Sequence, residues 1–128
     1  MRLLATSLLV FFAAIAASPA MSAEQPYDRA AFQAAQSAGQ PVAVVFHADW
    51  CPTCRAQAPL LKQLMLDPQR KQMTLFVANF DTEMALRKEL GVAKQSTLIV
   101  FNKGHEVARS TGDTQQENLA ALLSKAGV

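Results

Sequence analysis

Apolar positions along the chain follow two patterns, short β-branched runs and longer stretches with helical spacing. Strands are predicted where short apolar runs are bounded by turn residues, at 42–47, 74–80, 97–101 and 106–110. Helices are predicted between them, at 28–38, 52–66 and 82–90, and from a capping box at Thr114 and Glu117 to about 125. Helices interleaved with buried strands predict an α/β fold, with a central mixed β-sheet flanked by helices.

The first 23 residues have the pattern of a secretory signal peptide. Arg2 precedes an apolar stretch at 8–17, and small residues follow it. That stretch is too short to span a bilayer, which needs about 20 residues, although an uncleaved membrane anchor is the alternative interpretation. Cleavage is expected after Ala20 or Ala23, leaving a domain over residues 24–128 that is exported to the periplasm.

The two cysteines of the chain, Cys51 and Cys54, stand where a buried strand turns into a helix. A helix N-terminus presents unpaired N–H groups and the positive end of the helix dipole, which would stabilise Cys51 as a thiolate. Pro52 suits the first helical turn because its missing N–H would be unpaired there, and Thr53 adds no charge between the thiols. We expect Cys51 to face solvent and Cys54 to point inward. The pattern predicts a redox pair in which Cys51 is the nucleophile and Cys54 the resolving residue.

Composition narrows the possible partners and cofactors. The formal net charge is +2 and no run of Lys or Arg is present, so the sequence gives no indication of nucleic-acid binding. A bridge across two intervening residues closes too small a loop to constrain the unfolded chain much, so a purely structural disulfide is disfavoured. We expect no organic cofactor and no metal, because the dithiol itself carries two electrons. The expected partners are protein thiols and disulfides, and the chain is expected to be a monomer.

The segment 46–54, within this order of helices and strands, resembles the thioredoxin family. The resemblance extends over residues 28–126, and residue types of the family pattern recur at Phe46, Ala48, Trp50, Pro59, Asp81, Gly91, Thr97, Phe101, Gly104 and Gly112. The runs 48–51 and 67–69 are most similar to the C-terminal thioredoxin-like domain of the bacterial membrane thiol–disulfide interchange protein. The resemblance implies a thioredoxin-like fold and a thiol–disulfide oxidoreductase that acts as a reductase rather than an oxidase. It also implies a membrane-embedded thiol carrier that returns electrons to the pair.

The sequence departs from the family pattern in the loop that faces the cysteine pair. Ser96 stands where the family usually has a cis-proline, and we expect the Gln95–Ser96 bond to be trans because a cis bond there costs about 3–4 kcal/mol. The family pairs this loop with the substrate backbone, so Gln95, Ser96 and Thr97 are candidate docking or tuning residues. Trp50, Pro52, Thr53 and His47, which lie in or next to the cysteine segment, are candidates for the same roles. Ser96 either only remodels the loop or relaxes the exclusion of metals that the proline is thought to provide.

Val45 and Val77 stand where many thioredoxins have a buried aspartate and lysine. Replacing a buried ion pair by packed apolar residues is often neutral or stabilising. The replacement nevertheless removes a base that would help the proton of Cys54 to leave. We therefore expect resolution of a mixed disulfide to be slow, or to rely on water.

His47 stands in the place of an aromatic residue near the cysteine pair. It is either a polar substitute at a half-exposed packing position or a functional residue that favours the Cys51 thiolate. A periplasmic metal-binding or metal-delivery protein is the alternative function, since two thiolates and this imidazole are acceptable ligands for copper or zinc. A redox-inert binding module is disfavoured because Cys51 and Cys54 are both present.

Overall fold

The computed structural model describes residues 24–128, and the predicted signal peptide at 1–23 lies outside them. The helices and strands occur in this order: β1 Glu24–Pro26, α1 Arg29–Ser37, β2 Val42–His47, α2 Pro52–Met65, a 3₁₀ turn Pro68–Arg70, β3 Thr74–Asn79, α3 Met84–Leu90, β4 Thr97–Asn102, β5 His105–Thr111 and α4 Gln116–Ser124. This confirms the predicted α/β class. Within residues 24–128, no helix combines the length and apolar character that crossing a membrane requires.

The five strands form one mixed sheet in the order β1-β3-β2-β4-β5. Strands β1, β3 and β2 are parallel, and β4 and β5 are antiparallel to their neighbours. Because β4 is antiparallel to β2, the loop that precedes β4 lies at the edge of the sheet where β2 ends. Helix α2 begins at that same edge. The topology therefore brings the cysteine segment against the loop that contains Ser96.

Alternation along β2 divides the core into two clusters on opposite faces of the sheet. Val44 and Phe46 belong to the cluster that includes both cysteines. Ala43 and Val45 belong to the other, where residues of α2 and α4 cover the sheet. Phe46 has no exposed surface, so the strand immediately before the cysteine segment is fixed by burial on both faces.

The predicted elements are found, with small differences at their ends. Asp28 caps α1 as expected, since its carboxylate accepts the Ala31 N–H at 2.8 Å. Strand β1 was not predicted, because Glu24–Pro26 is short, polar and ends in proline, and it forms only by pairing with β3. His105 was predicted in the turn between the last two strands, but it is the first residue of β5.

Helix α3 begins two residues later than predicted, at Met84 rather than at Thr82. The side-chain oxygen of Asn79 accepts the backbone N–H groups of Asp81 and Thr82 at 2.9 and 3.2 Å. These bonds hold the segment after β3 in a turn, which competes with helix formation.

The predicted capping box at Thr114 and Glu117 is wrong. Helix α4 begins at Gln116, and its N-cap Gln115 makes no side-chain capping bond. The Asp113 carboxylate instead accepts a hydrogen bond from the Gln115 N–H at 2.9 Å. The side chain that fixes the turn before α4 is therefore Asp113, one residue before the predicted cap Thr114.

Candidate active site

Cys51 is the N-cap of α2, with an extended backbone conformation (φ −88°, ψ 116°). Its sulfur accepts a hydrogen bond from the Cys54 N–H at 3.3 Å. The thiol therefore acts as the capping side chain, which pairs one of the free backbone N–H groups in the first turn of the helix. Pro52 opens the helix, as predicted from its missing N–H. The structure thus places Cys51 among the unpaired donors and the positive dipole of the helix N-terminus.

The two cysteines are free thiols with different exposures, 8% for Cys51 and 1% for Cys54. Cys54 points inward as predicted. The prediction that Cys51 faces solvent is wrong in degree, because the loop before β4 packs against it and places the Ser96 hydroxyl 3.7 Å from its sulfur. Cys51 still remains the more accessible thiol of the pair.

The surroundings separate the acidities of the two thiols. A hydrogen bond from the Cys54 side chain, and then one from the Cys54 N–H, lowers the pKa of Cys51, with a further contribution from Ser96. Burial raises the pKa of Cys54, and its hydrogen bond to Cys51 adds to that effect. The arrangement therefore favours a Cys51 thiolate beside a protonated Cys54, which is the state required for Cys51 to attack first.

Alkylation by iodoacetamide should report this asymmetry. We expect iodoacetamide to modify Cys51 first and to leave Cys54 unmodified. The rate at Cys51 should stay high as the pH is lowered, and should fall only when the pH passes below the lowered pKa of that thiol. Mass spectrometry of the digested protein measures the modification of each cysteine across pH. Protein unfolded in urea serves as the control, since both thiols should then titrate near the ordinary pKa of about 8.5. Equal labelling in the folded protein would contradict the assignment.

Ser96 occupies the centre of the loop that faces the pair. Its peptide bond is trans, as predicted, and no cis bond occurs among residues 24–128. Its backbone is left-handed, at φ 57°, a conformation that costs a residue other than glycine about 1–2 kcal/mol. Its N–H donates to the Phe46 carbonyl at 2.8 Å, and its hydroxyl lies 2.9 Å from the Cys54 sulfur. Ser96 therefore does more than remodel the loop, because its side chain contacts both sulfurs.

Gln57 also belongs to this site, although the sequence analysis did not single it out. It is 1% exposed, and its side-chain nitrogen donates to the carbonyls of Ser96 and Asp113 at 3.3 and 3.0 Å. These bonds tie α2 to the loops before β4 and after β5. A polar residue three positions after Cys54, on the inward face of α2, was the signal that could have identified it.

Four other residues predicted for docking or tuning lie close to the pair along the chain or in the facing loop: Trp50, Pro52 and Thr53 in the cysteine segment, and Gln95 in the loop before β4. Trp50 is 58% exposed, and its indole N–H donates to the Asp81 carboxylate at 2.8 Å. Pro52 is exposed, while Thr53 and Gln95 are partly exposed. All four are therefore at least partly accessible from solvent, and their docking role stays a prediction.

Thr97, also predicted as a docking residue, is only 3% exposed. Its hydroxyl donates to the Lys94 carbonyl at 2.8 Å and lies 2.9 Å from the Thr111 hydroxyl. Its side chain fixes the loop and the start of β4 and does not present a surface to a partner.

His47 lies on the face of β2 that it shares with Val45, opposite the face of Phe46 and the two thiols. Together with Val45, Val77 and Gln57 it lines a cavity of about 160 Å³, and its Nε2 lies 3.0 Å from the Asp49 carboxylate. Among residues 24–128, no cluster of three or more His, Cys, Asp or Glu side chains is arranged to hold a metal ion. The structure does not bring His47 to the cysteines as a third ligand.

Comparison with known proteins identifies the same family as the sequence motif. The thioredoxin family model matches residues 24–125. The thioredoxin of Chlamydia muridarum is 33% identical over 84 residues, which are 66% of this chain and 80% of that protein. The bifunctional thioredoxin reductase/thioredoxin of Mycobacterium leprae is 34% identical over 96 residues, 75% of this chain but only 20% of that protein's length.

A solved structure supports the fold at higher identity. The crystal structure of Trxlp from Edwardsiella tarda EIB202 superposes with a TM-score of 0.76 at 42% identity, covering 78% of this chain and 97% of that one. The expected thioredoxin-like fold is therefore confirmed.

Proposed function

The chain belongs to the thioredoxin family, and on that premise we propose that it is exported and reduces disulfide bonds of other proteins in the periplasm. Its thiol–disulfide oxidoreductase activity follows from the family and from its intact pair, Cys51 and Cys54. The observation that carries the exchange chemistry within this proposal is the asymmetry of the pair. One thiol caps a helix with a lowered pKa, and the other is buried beside it with a raised one.

Exchange proceeds in two displacements. The Cys51 thiolate attacks one sulfur of a partner disulfide, a bond forms between them, and the other partner sulfur leaves as a thiolate that takes up a proton. Cys54 then loses its proton and attacks the Cys51 sulfur. The Cys51–Cys54 disulfide forms, the second partner thiol leaves, and two electrons have passed from the pair to the partner.

Reduction rather than oxidation is supported by the resemblance to thioredoxins, and the reduction potential tests it. We expect equilibration of residues 24–128 with thiol and disulfide buffers to give a two-electron titration near −270 mV, the thioredoxin range. The same protein should catalyse insulin reduction by dithiothreitol. A potential near −120 mV would instead make the protein an oxidant of other thiols. Failure to titrate as a two-electron couple would refute exchange altogether.

Export is supported by the sequence pattern at 1–23. After each reduction of a partner, the Cys51–Cys54 disulfide must be reduced again before the pair can act a second time. We propose a membrane-embedded thiol carrier as the electron donor, on the resemblance to the C-terminal domain of the membrane thiol–disulfide interchange protein.

Fractionation of bacterial cells that express the full chain tests export. The mature protein should be released with the periplasm and should begin after Ala20 or Ala23. A Leu9→Arg variant, which interrupts the apolar stretch, provides the control and should remain full-length inside the cell. An uncut wild-type chain in the membrane fraction would favour the anchor, and one in the cytosol would refute export.

A further inference from the structure

We propose that Ser96 is a catalytic residue of the exchange, whose hydroxyl hydrogen-bonds to the Cys51 thiolate before attack and to the Cys54 thiolate during resolution. This inference rests on the proposed exchange chemistry and adds a group to it. A hydroxyl suits both tasks because it carries one donor and two acceptor lone pairs and rotates to whichever partner is charged.

The distances support a hydroxyl shared by the two sulfurs. The Ser96 oxygen lies 2.9 Å from the Cys54 sulfur and 3.7 Å from the Cys51 sulfur. Ser96 is 1% exposed, so bulk water does not compete for its hydroxyl. The Phe46 carbonyl, 4.0 Å from the Cys54 sulfur, can accept from the thiol but cannot donate to a thiolate. Burial raises the pKa of Cys54, and hydrogen bonds from the Ser96 hydroxyl and, after it, from the Ala48 backbone both act against burial by lowering that pKa. A donor is what a developing Cys54 thiolate requires.

The backbone at Ser96 gives an independent reason to assign a role to its side chain. The φ of 57° would suit glycine better than serine. The main-chain hydrogen bonds of Ser96 do not need its side chain. Its N–H donates to the Phe46 carbonyl, and its carbonyl accepts from Gly112 and Gln57, so a glycine at position 96 could make the same bonds. What serine adds is the hydroxyl, which is aimed at the two reacting atoms. Strain that is retained beside a reacting group is a reason to look for a function there.

Burial explains why the Cys54 thiolate needs this donor. It raises the pKa of the Cys54 thiol, so the thiolate that must attack is the disfavoured form. Val45 and Val77, which are paired across β2 and β3, carry no polar side-chain atom and pack on the other face of the sheet, so neither can act as a base for Cys54. The Ser96 hydroxyl instead stabilises the thiolate itself by donating a hydrogen bond to it.

The step balances without a further reactant. In the mixed disulfide, the proton of Cys54 is released and ends on the departing sulfur of the partner. The Ser96 hydrogen turns from Cys51 to the Cys54 thiolate, which attacks the Cys51 sulfur. The Cys51–Cys54 bond forms as the bond between Cys51 and the partner breaks, and Ser96 keeps its own proton throughout.

Single-turnover reaction with 5,5′-dithiobis(2-nitrobenzoate) separates the two displacements. Attack by Cys51 releases one coloured thiolate, and resolution by Cys54 releases a second. We expect Ser96→Ala and Ser96→Gly to slow the second release about 10- to 100-fold, the value of one hydrogen bond to a charged group. The first release should slow as well, by a smaller factor, because the bond to Cys51 is longer.

Matched variants keep the result interpretable. Ser96→Gly removes the hydroxyl and relieves the left-handed backbone, so slow resolution in that variant cannot come from a poorly folded loop. Ser110→Ala removes a buried hydroxyl that has no hydrogen-bond partner among residues 24–128, and it should keep both wild-type rates. Circular dichroism in urea should show Ser96→Gly to be at least as stable as Ser96→Ala.

Two outcomes would overturn the proposal in different ways. Wild-type rates in both Ser96 variants would refute the catalytic role and leave the exchange function intact. Release of a single thiolate by the wild-type protein would show that Cys54 does not resolve the mixed disulfide. In that case the exchange chemistry fails, and the role of Ser96 fails with it.

Discussion

Replacing Cys51 by serine should reduce insulin reduction to the rate of dithiothreitol alone, whereas Cys54→Ser should attack once and remain attached to its partner. Serine cannot supply a thiolate, so without Cys51 the first displacement has no nucleophile. Without Cys54, the mixed disulfide forms but has no neighbouring sulfur to resolve it. Non-reducing electrophoresis and mass measurement should show a covalent adduct with a disulfide-containing substrate for Cys54→Ser only.

The double variant Cys51→Ser/Cys54→Ser gives the baseline for both rates and adducts. The fold should survive these changes, because a serine at the buried position of Cys54 lies within reach of the Ser96 hydroxyl. An adduct on Cys51→Ser, with Cys54 as the attached residue, would reverse the assignment of nucleophile and resolving thiol. Full activity in either single variant would exclude two-step exchange.

The position of the cysteine pair could be predicted because local sequence determines it. A β-branched run ending at His47, followed by Pro52 in a first helical turn, places Cys51 at a helix N-terminus whatever the rest of the chain does. The exposure of Cys51 could not be predicted in the same way. It depends on the loop before β4, which lies 45 residues further along the chain and reaches the pair only through the antiparallel register of β2 and β4.

The hypothesis that His47 acts on the thiols could have been corrected from strand geometry alone. Side chains alternate along a strand, so a residue next to Phe46 must point to the opposite face. The sequence already placed Phe46 on an apolar run, and the structure shows that the thiols pack on the side of Phe46. The contact between the Ser96 hydroxyl and the sulfurs had no such local signal, because only the folded loop defines its left-handed backbone.

Truncation of Phe46 should cause the largest loss of stability in the site region. Phe46→Ala removes a fully buried ring from the cluster that contains both cysteines, and we expect the free energy of unfolding to fall by about 3–5 kcal/mol. The total free energy of unfolding of a small domain is about 5–15 kcal/mol, so this loss is a large share of it. Urea unfolding followed by circular dichroism measures it. The cavity should also expose Cys54, which we expect to become alkylated by iodoacetamide in the folded variant.

Leu66→Ala provides the control, since it removes a comparable apolar side chain that is 76% exposed at the end of α2. Its free energy of unfolding should stay within about 0.5 kcal/mol of the wild type. A loss as small as this for Phe46→Ala would mean that the ring does not hold the end of β2. The Ser96 N–H bonds to the carbonyl of that same residue, so the position of the hydroxyl against the sulfurs depends on the packing of Phe46. Phe46 therefore supports both the stability of the core and the geometry of the thiols. In Phe46→Ala we expect the loss of unfolding free energy and the alkylation of Cys54 to appear together.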